Sequence, residues 1–216
     1  MPKMGRGGRF GGGGRGLGEP PGEKSDLVSM RETKRAEVDD VLTVSKAVTD
    51  QYGSGAVVEQ FQVAKFRKGS ADDRGCIAYY DGANIAFNDR FFDGGKLDSA
   101  YDDCVRSGFH PSRGSKSGTE AVAAHEYGHA LTAVAAERMG LNPRMGLDSA
   151  AARIVKESKT ASGHTRVGDI AAAISGYART SYAETIAEAF ADVYCNGSRA
   201  KRESRAVVGA MNQYLT

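Results

Sequence analysis

The chain has 216 residues, with 29 Lys or Arg against 27 Asp or Glu and a formal net charge of +2. This length suits one domain of moderate core size plus a tail, and the near-neutral charge gives no overall preference for nucleic acid or a membrane surface. No apolar run approaches the roughly 20 residues of a membrane-spanning helix. The N-terminus carries no hydrophobic signal segment, so we expect a cytoplasmic protein.

The three cysteines, Cys76, Cys104 and Cys195, are far apart in the sequence. Their odd number and wide separation argue against a disulfide framework and favour reduced thiols, which again indicates a cytosolic setting. None stands at a metal-ligand spacing from a neighbour. We interpret Cys195, which follows an acidic helical stretch, as a small buried residue.

The first 24 residues, MPKMGRGGRFGGGGRGLGEPPGEK, are rich in glycine and arginine. They offer too few apolar side chains to offset the entropy of ordering, so residues 1–24 are predicted to be a disordered tail. Arginine-rich flexible segments bind RNA and single strands, which raises nucleic-acid binding as one role. The tail has few charges and Phe10 as its single aromatic residue, so a tether or a segment docking on a larger assembly is an equal alternative.

The next part of the chain is predicted to form helices around a small sheet. Residues 25–51 are compatible with one or two amphipathic helices, and residues 56–66 alternate as a strand does. Two short β-prone runs, 76–80 and 84–88, are joined through an Asp-Gly pair, a strong hairpin signal. A helix over residues 97–106 and a loop that carries His110 follow. We interpret His110 as a surface residue, with approach to the cleft as the lesser alternative.

The stretch AVAAHEYGHALT contains His125, Glu126 and His129 at the H-E-x-x-H spacing. Residues four apart lie on one face of a helix, so the two histidines can direct ring nitrogens at one ion. Glu126 lies about 100° round the helix, which suits a general base acting on a metal-bound water. Apolar residues flank the motif, and we place the helix N-cap at Thr119.

Gly128 is an unfavourable residue within this helix, because glycine lowers helix stability by roughly 1 kcal/mol relative to alanine. We expect another segment to approach closely at this position. A helix that carries two histidines by chance is the alternative interpretation, but only four histidines occur in the chain. A real site predicts a third ligand downstream, because a catalytic zinc site has three protein ligands.

Further helices are predicted over residues 148–160, with Asp148 as N-cap, over residues 168–177, and over residues 199–215. The last of these has an apolar stripe that would pack on the core. The one histidine after His129 is His164, which lies in a loop rich in glycine, serine and threonine. A carboxylate is therefore the better candidate for the third ligand.

Residues 174–195 supply Glu184, Glu188 and Asp192 at successive four-residue steps, on one face of a helix that begins near Thr180 or Ser181. A purely acidic face without lysine or arginine partners is unfavourable unless a cation lies among the charges. One carboxylate can bind the metal, and the next can hold a ligand histidine. A solvated acidic face is the alternative interpretation.

The sequences HEYGHA and YARTSYAETIAEAF together resemble the gluzincin metallopeptidases of the anthrax lethal factor type. The resemblance covers roughly residues 119–195, and its second half is the more specific. Similar patterns occur in metallopeptidase-like domains encoded by bacteriophages, often in head or virion proteins. The resemblance therefore implies a zinc peptidase, with a virion location as an alternative to the cytoplasm.

Residue by residue, the resemblance implies that His125 and His129 bind zinc and that Glu126 is the general base. It implies Glu184 as the third ligand and Tyr177 as the residue whose hydroxyl faces the metal. Glu188 matches the carboxylate one turn later that supports the site. A thermolysin-like alternative stays open, in which Glu188 is the ligand and Asp192 its partner.

We therefore expect an α+β fold, a zincin-like metallopeptidase domain over residues 25–216 that is mostly helical with a small antiparallel sheet. The expected activity is zinc-dependent hydrolysis of peptide bonds in a protein or peptide substrate. Two alternatives remain: a catalytically silent zincin-like structural or virion component, and a nucleic-acid-associated protein that acts through the tail.

Overall fold

A computed structural model of the protein describes residues 32–53, 60–64, 76–92, 95–142 and 146–215. The predicted tail, residues 1–24, lies outside the described residues, as do the first residues of the helical prediction over 25–51. Disorder of the tail and its role in nucleic-acid binding therefore stay predictions.

The described residues are mostly helical, as predicted. The α-helices are α1 Glu32–Tyr52, α2 Lys96–Arg106, α3 Gly118–Arg138, α4 Leu147–Glu157, α5 Lys159–Ser162, α6 Val167–Ile174, α7 Tyr182–Asn196 and α8 Arg202–Asn212. Single 3₁₀ turns precede and follow α7, at Ala178–Thr180 and Gly197–Arg199. No helix in the described part of the chain is both long and apolar enough to cross a membrane.

The sheet contains β1 Gln60–Ala64, β2 Ala78–Tyr80 and β3 Asn84–Asn88, in the order β1-β3-β2. The hairpin is confirmed, because β2 and β3 pair antiparallel. The prediction of a purely antiparallel sheet is wrong, since β1 pairs parallel with β3. The chain crosses from β1 to the far edge before the hairpin, so β3 returns beside β1 in the same direction.

Helix α3 forms the centre of the core. It is buried almost all round from Gly118 to Ala133, as expected for a helix with apolar residues on every face. Helix α7 packs along it, and α1, α2 and α4 cover other sides. The predicted terminal helix is α8, and its apolar stripe is buried in this core. Cys76, Cys104 and Cys195 are buried and form no disulfide.

The N-terminus of α3 is fixed by Ser117, so the prediction of Thr119 as its cap is wrong. The Ser117 hydroxyl accepts a hydrogen bond from the Glu120 amide at 3.0 Å, and the Glu120 carboxylate accepts one from the Ser117 amide at 3.0 Å. This reciprocal pair is a capping box, and the spacing Ser-x-x-Glu is its sequence signature. The Ser117 hydroxyl also donates to Asp40 of α1 at 2.6 Å, which links the two helices.

The N-cap of α4 lies two residues before the predicted one. Helix α4 begins at Leu147 with Gly146 as its N-cap, so Asp148 lies in the first turn. An acidic side chain in the first turn still favours the helix, because it faces the positive end of the helix dipole. The predicted helix 148–160 is also divided, since α4 ends at Glu157 and the short α5 follows.

We expect Ser117→Ala to lower the free energy of unfolding by about 1 kcal/mol, because the Glu120 amide loses the hydroxyl that caps it. Urea denaturation would measure this change. Ser115→Ala, at an exposed position in the same loop, is the matched control and should shift the value by less than about 0.5 kcal/mol. Equal losses in the two variants would contradict a specific cap at Ser117.

Candidate metal centre

Three potential metal ligands from two helices meet in the core. His125 and His129 of α3 and Glu184 of α7 are all buried, and each offers one ligand atom within 4.8 Å of the others. The Glu184 Oε2 atom lies 3.1 Å from His125 Nε2 and 3.5 Å from His129 Nε2. Two ligand atoms at zinc bonding distance in a tetrahedral site lie roughly 3.3 Å apart. The group could therefore hold one metal ion.

The close approach of α7 to α3 depends on Gly128, which lies three residues after His125 and immediately before His129. A Cβ atom at Gly128 would lie 2.7 Å from the Cα of Ala187 and 3.3 Å from the Cβ of Phe190. The expectation that another segment approaches here is confirmed, and that segment is α7. The absence of a side chain at Gly128 lets Glu184 and Glu188, one turn apart, reach the face with the histidines.

Helix α7 begins where the sequence predicted. Ser181 is its N-cap, and the Ser181 hydroxyl accepts a hydrogen bond from the Glu184 amide at 3.1 Å. Thr185 donates to the carbonyl of Ala178 at 2.8 Å, which anchors the helix to the preceding 3₁₀ turn. Glu184 therefore lies in the first turn, with its backbone held in place.

Glu188 contacts the other side of the first histidine. Its Oε1 atom lies 2.8 Å from His125 Nδ1, while Glu184 faces His125 Nε2. An ionised carboxylate only accepts hydrogen bonds, so His125 donates its Nδ1–H to Glu188, and with a metal ion bound its Nε2 lone pair would face the ion beside Glu184. This geometry favours Glu184 as the ligand and Glu188 as the residue that orients His125.

Asp192 lies outside this group. Its carboxylate accepts hydrogen bonds from the Asn196 side chain at 2.8 Å and from the Lys201 amide at 2.9 Å. It therefore holds the C-terminal end of α7, and the thermolysin-like pairing of Glu188 with Asp192 has no geometric support. A solvated acidic face is wrong as well, because Glu184, Glu188 and Asp192 are each at most 3% exposed.

Glu126 lies beside the potential ligands without belonging to the group. Its carboxylate is buried and accepts a hydrogen bond from the backbone N–H of Tyr80 in β2. Burial raises the pKa of Glu126, although the neighbouring His125 and His129 oppose that rise. A carboxylate with a raised pKa in this position is suited to accept and release a proton.

Tyr177 precedes α7 and lies over His125. The two rings are stacked, with centroids 5.8 Å apart and planes at 21°. The Tyr177 hydroxyl donates a hydrogen bond to Glu184, and burial together with the charges of Glu184 and Glu126 raises its pKa well above the usual range. The hydroxyl therefore stays protonated at neutral pH and is a hydrogen-bond donor at the candidate centre.

The interpretation of His110 as a surface residue is wrong. It is 3% exposed, and its Nδ1 atom lies 3.0 Å from both carboxylate oxygens of Glu188. The loop that carries it is held in place by hydrogen bonds from the Gly176 and Tyr177 amides to the Gly108 and Phe109 carbonyls. These contacts join segments far apart in sequence, so no local pattern could predict them.

Ser175 is a second residue that the sequence reasoning missed. Its hydroxyl donates to Glu188 Oε2 at 2.7 Å. The remaining histidine, His164, pairs instead with Glu203 at 2.9 Å, outside the group. The one sequence signal for His110 is the scarcity of histidine, since three of the four histidines lie at or next to this site.

The electrostatics of the site favour a cation. Burial opposes ionisation of Glu184, yet His129 and His125 lower its pKa well below the usual range. Burial likewise opposes charge on His125, yet Glu184 and Glu188 raise its pKa well above the usual range. These buried carboxylates thus stabilise positive charge between the helices, and a metal ion would supply that charge directly.

No protein-family model, curated protein or solved structure matches the chain. Any function assigned to it must therefore be derived from the site itself.

We expect Gly128→Ala to lower the free energy of unfolding by about 1–3 kcal/mol, because the new methyl group meets the backbone of Ala187. Chemical denaturation would measure the loss. Gly209→Ala in α8 is the matched control, since its added Cβ meets nothing within 4 Å. The control should gain up to about 1 kcal/mol from helix propensity. A stabilised Gly128→Ala variant would contradict the tight contact between α3 and α7.

Proposed function

We propose that the protein is a zinc-dependent peptidase. The observation that carries this proposal is the gathering of His125, His129 and Glu184 around one point, with the carboxylate of Glu126 beside them. The chemistry of the set suits zinc, because two histidine nitrogens and one carboxylate form a known catalytic ligand set with a fourth position open. The same arrangement supports the resemblance to lethal-factor-type gluzincins.

The hydrogen bonds that support the candidate ligands also fit a zinc site. Zinc-binding histidines commonly donate their second ring N–H to a carboxylate, which fixes the tautomer and the ring orientation. Glu188 provides this contact for His125 at 2.8 Å. Softer metals prefer thiolate ligands, and the three buried cysteines lie outside the group.

Bound zinc lowers the pKa of a coordinated water and polarises a carbonyl group. In the proposed reaction, Glu126 accepts a proton from the attacking water and later delivers it to the leaving amine. Tyr177 donates a hydrogen bond to the oxygen of the substrate carbonyl as negative charge develops there. Its raised pKa keeps the proton available for that role.

The position of β2 supports a peptide as the substrate. Among the strands that the structure describes, β2 lies at an edge of the sheet beside β3, and the backbone N–H of its Tyr80 donates to Glu126. An extended peptide can pair with an exposed sheet edge through main-chain hydrogen bonds. Such pairing would lay a substrate backbone along β2, close to the general base.

A catalytically silent metal site is a second candidate, and burial favours it. His125, Glu126 and Glu184 are each at most 2% exposed, and His129 is 7% exposed. Substrate would have to approach from the side of His129. A metal ion in so enclosed a position could stabilise the packing of α3 against α7 without turnover.

Metal content is the first test. We expect the purified full-length protein to contain about one zinc ion per chain, and Glu184→Ala to lose most of it because one of three ligands is removed. Elemental analysis by mass spectrometry would measure both. Glu203→Ala is the matched control, since this glutamate pairs with His164 away from the centre. Zinc-free wild-type protein would overturn the proposed function.

Substitution of the general base separates the two candidates. We expect Glu126→Gln to retain zinc but to lose peptidase activity by about 10²-fold or more, because the amide cannot accept the proton. A fluorogenic peptide library would measure turnover. Glu137→Gln, at an exposed position on the same helix, is the control and should remain active. Full zinc content with no peptidase activity in the wild type would favour the silent site.

A further inference from the structure

His110 is enclosed by aromatic rings beside the candidate metal centre. Its imidazole stacks on the fully buried Tyr101, with ring centroids 5.3 Å apart and planes at 10°. The Tyr177 ring meets it edge-on, with centroids 5.5 Å apart. These contacts leave the imidazole little freedom to rotate. The direction of its Nδ1 atom is therefore set by packing.

That atom points at Glu188. The carboxylate of Glu188 is completely buried, and each of its two oxygens lies 3.0 Å from His110 Nδ1. A carboxylate oxygen accepts hydrogen bonds, so His110 donates its Nδ1–H to Glu188.

Glu188 receives hydrogen bonds from three different residues. His125 Nδ1 approaches Oε1 at 2.8 Å, the Ser175 hydroxyl approaches Oε2 at 2.7 Å, and His110 Nδ1 lies between the two oxygens. The central donor contacts both oxygens and holds the position of the carboxylate, while His125 and Ser175 each hold one oxygen. Displacement of the Glu188 side chain would break the bond to His125 together with the bond to His110.

We propose that His110 is a positioning residue of the metal centre, which holds Glu188 so that Glu188 fixes the ring and tautomer of His125. His110 does not contact the metal ion in this arrangement. It acts through Glu188, from the loop that joins α2 to α3. The inference rests on the proposed zinc site and predicts an effect on metal affinity that does not depend on peptidase activity.

Two substitutions separate the hydrogen bond from the packing. His110→Phe keeps a flat ring against Tyr101 but removes the donor, whereas His110→Asn removes the ring but keeps an N–H group near the position of Nδ1. We expect zinc affinity to fall about 10- to 100-fold in His110→Phe, as is typical when a residue that orients a ligand is lost. His110→Asn should stay within about threefold of wild type, because the donor is retained.

Zinc dissociation constants would be measured by competition with a chromophoric chelator, with far-UV circular dichroism of each variant as the check on folding. Wild-type affinity in His110→Phe, or equal losses in both variants, would overturn the positioning role while leaving the zinc site intact. Absence of zinc binding in the wild type would instead overturn the proposed function, and this inference with it.

A double-mutant cycle tests the route through Glu188. If His110 acts through this carboxylate alone, His110→Phe should change zinc affinity in the wild-type background but not in Glu188→Gln. Additive losses would overturn the inference. If His110→Phe does not fold, His110→Leu replaces it in both backgrounds, since it also lacks the donor and has a smaller side chain.

Discussion

The packing of α3 against α7 at Gly128 is the constraint on which the rest of the structure depends. The candidate ligand histidines lie on one helix and the carboxylates on the other, so the group can form only if the two backbones approach within side-chain reach. The missing Cβ of Gly128 permits this, with Ala187 as the small residue opposite. The helix-propensity cost of one glycine is thereby offset by a contact that no larger residue allows.

Burial of so many ionisable groups is the second constraint. Glu126, Glu184 and Glu188 are carboxylates in the core, and histidines are the groups that face them. An unpaired buried charge is strongly destabilising, so each carboxylate needs a hydrogen-bonded partner or a cation. Glu188 obtains its partners from three separate segments of the chain, while Glu184 faces the two histidines of α3. Two glutamates one turn apart therefore have different surroundings, which is why different roles are proposed for them.

Much of the site could be predicted because it is encoded by local spacing. The four-residue steps of His125 to His129 and of Glu184 to Glu188 each fix a helical face, and Ser181 marks where the second helix begins. The contacts of His110 could not be predicted in this way, since they join loops that are far apart in sequence. The parallel pairing of β1 with β3 depends on a crossover, which alternation within a strand does not encode.

The backbone hydrogen bonds from Gly176 and Tyr177 to Gly108 and Phe109 have a consequence for cooperativity. They tie the loop that precedes α3 to the turn that precedes α7, so the segments that lead into the two helices of the candidate centre are one structural unit. Local opening of either loop would break the contacts of the other, and the two should exchange amide hydrogens together as one foldon. The candidate centre would then assemble or come apart in a single step.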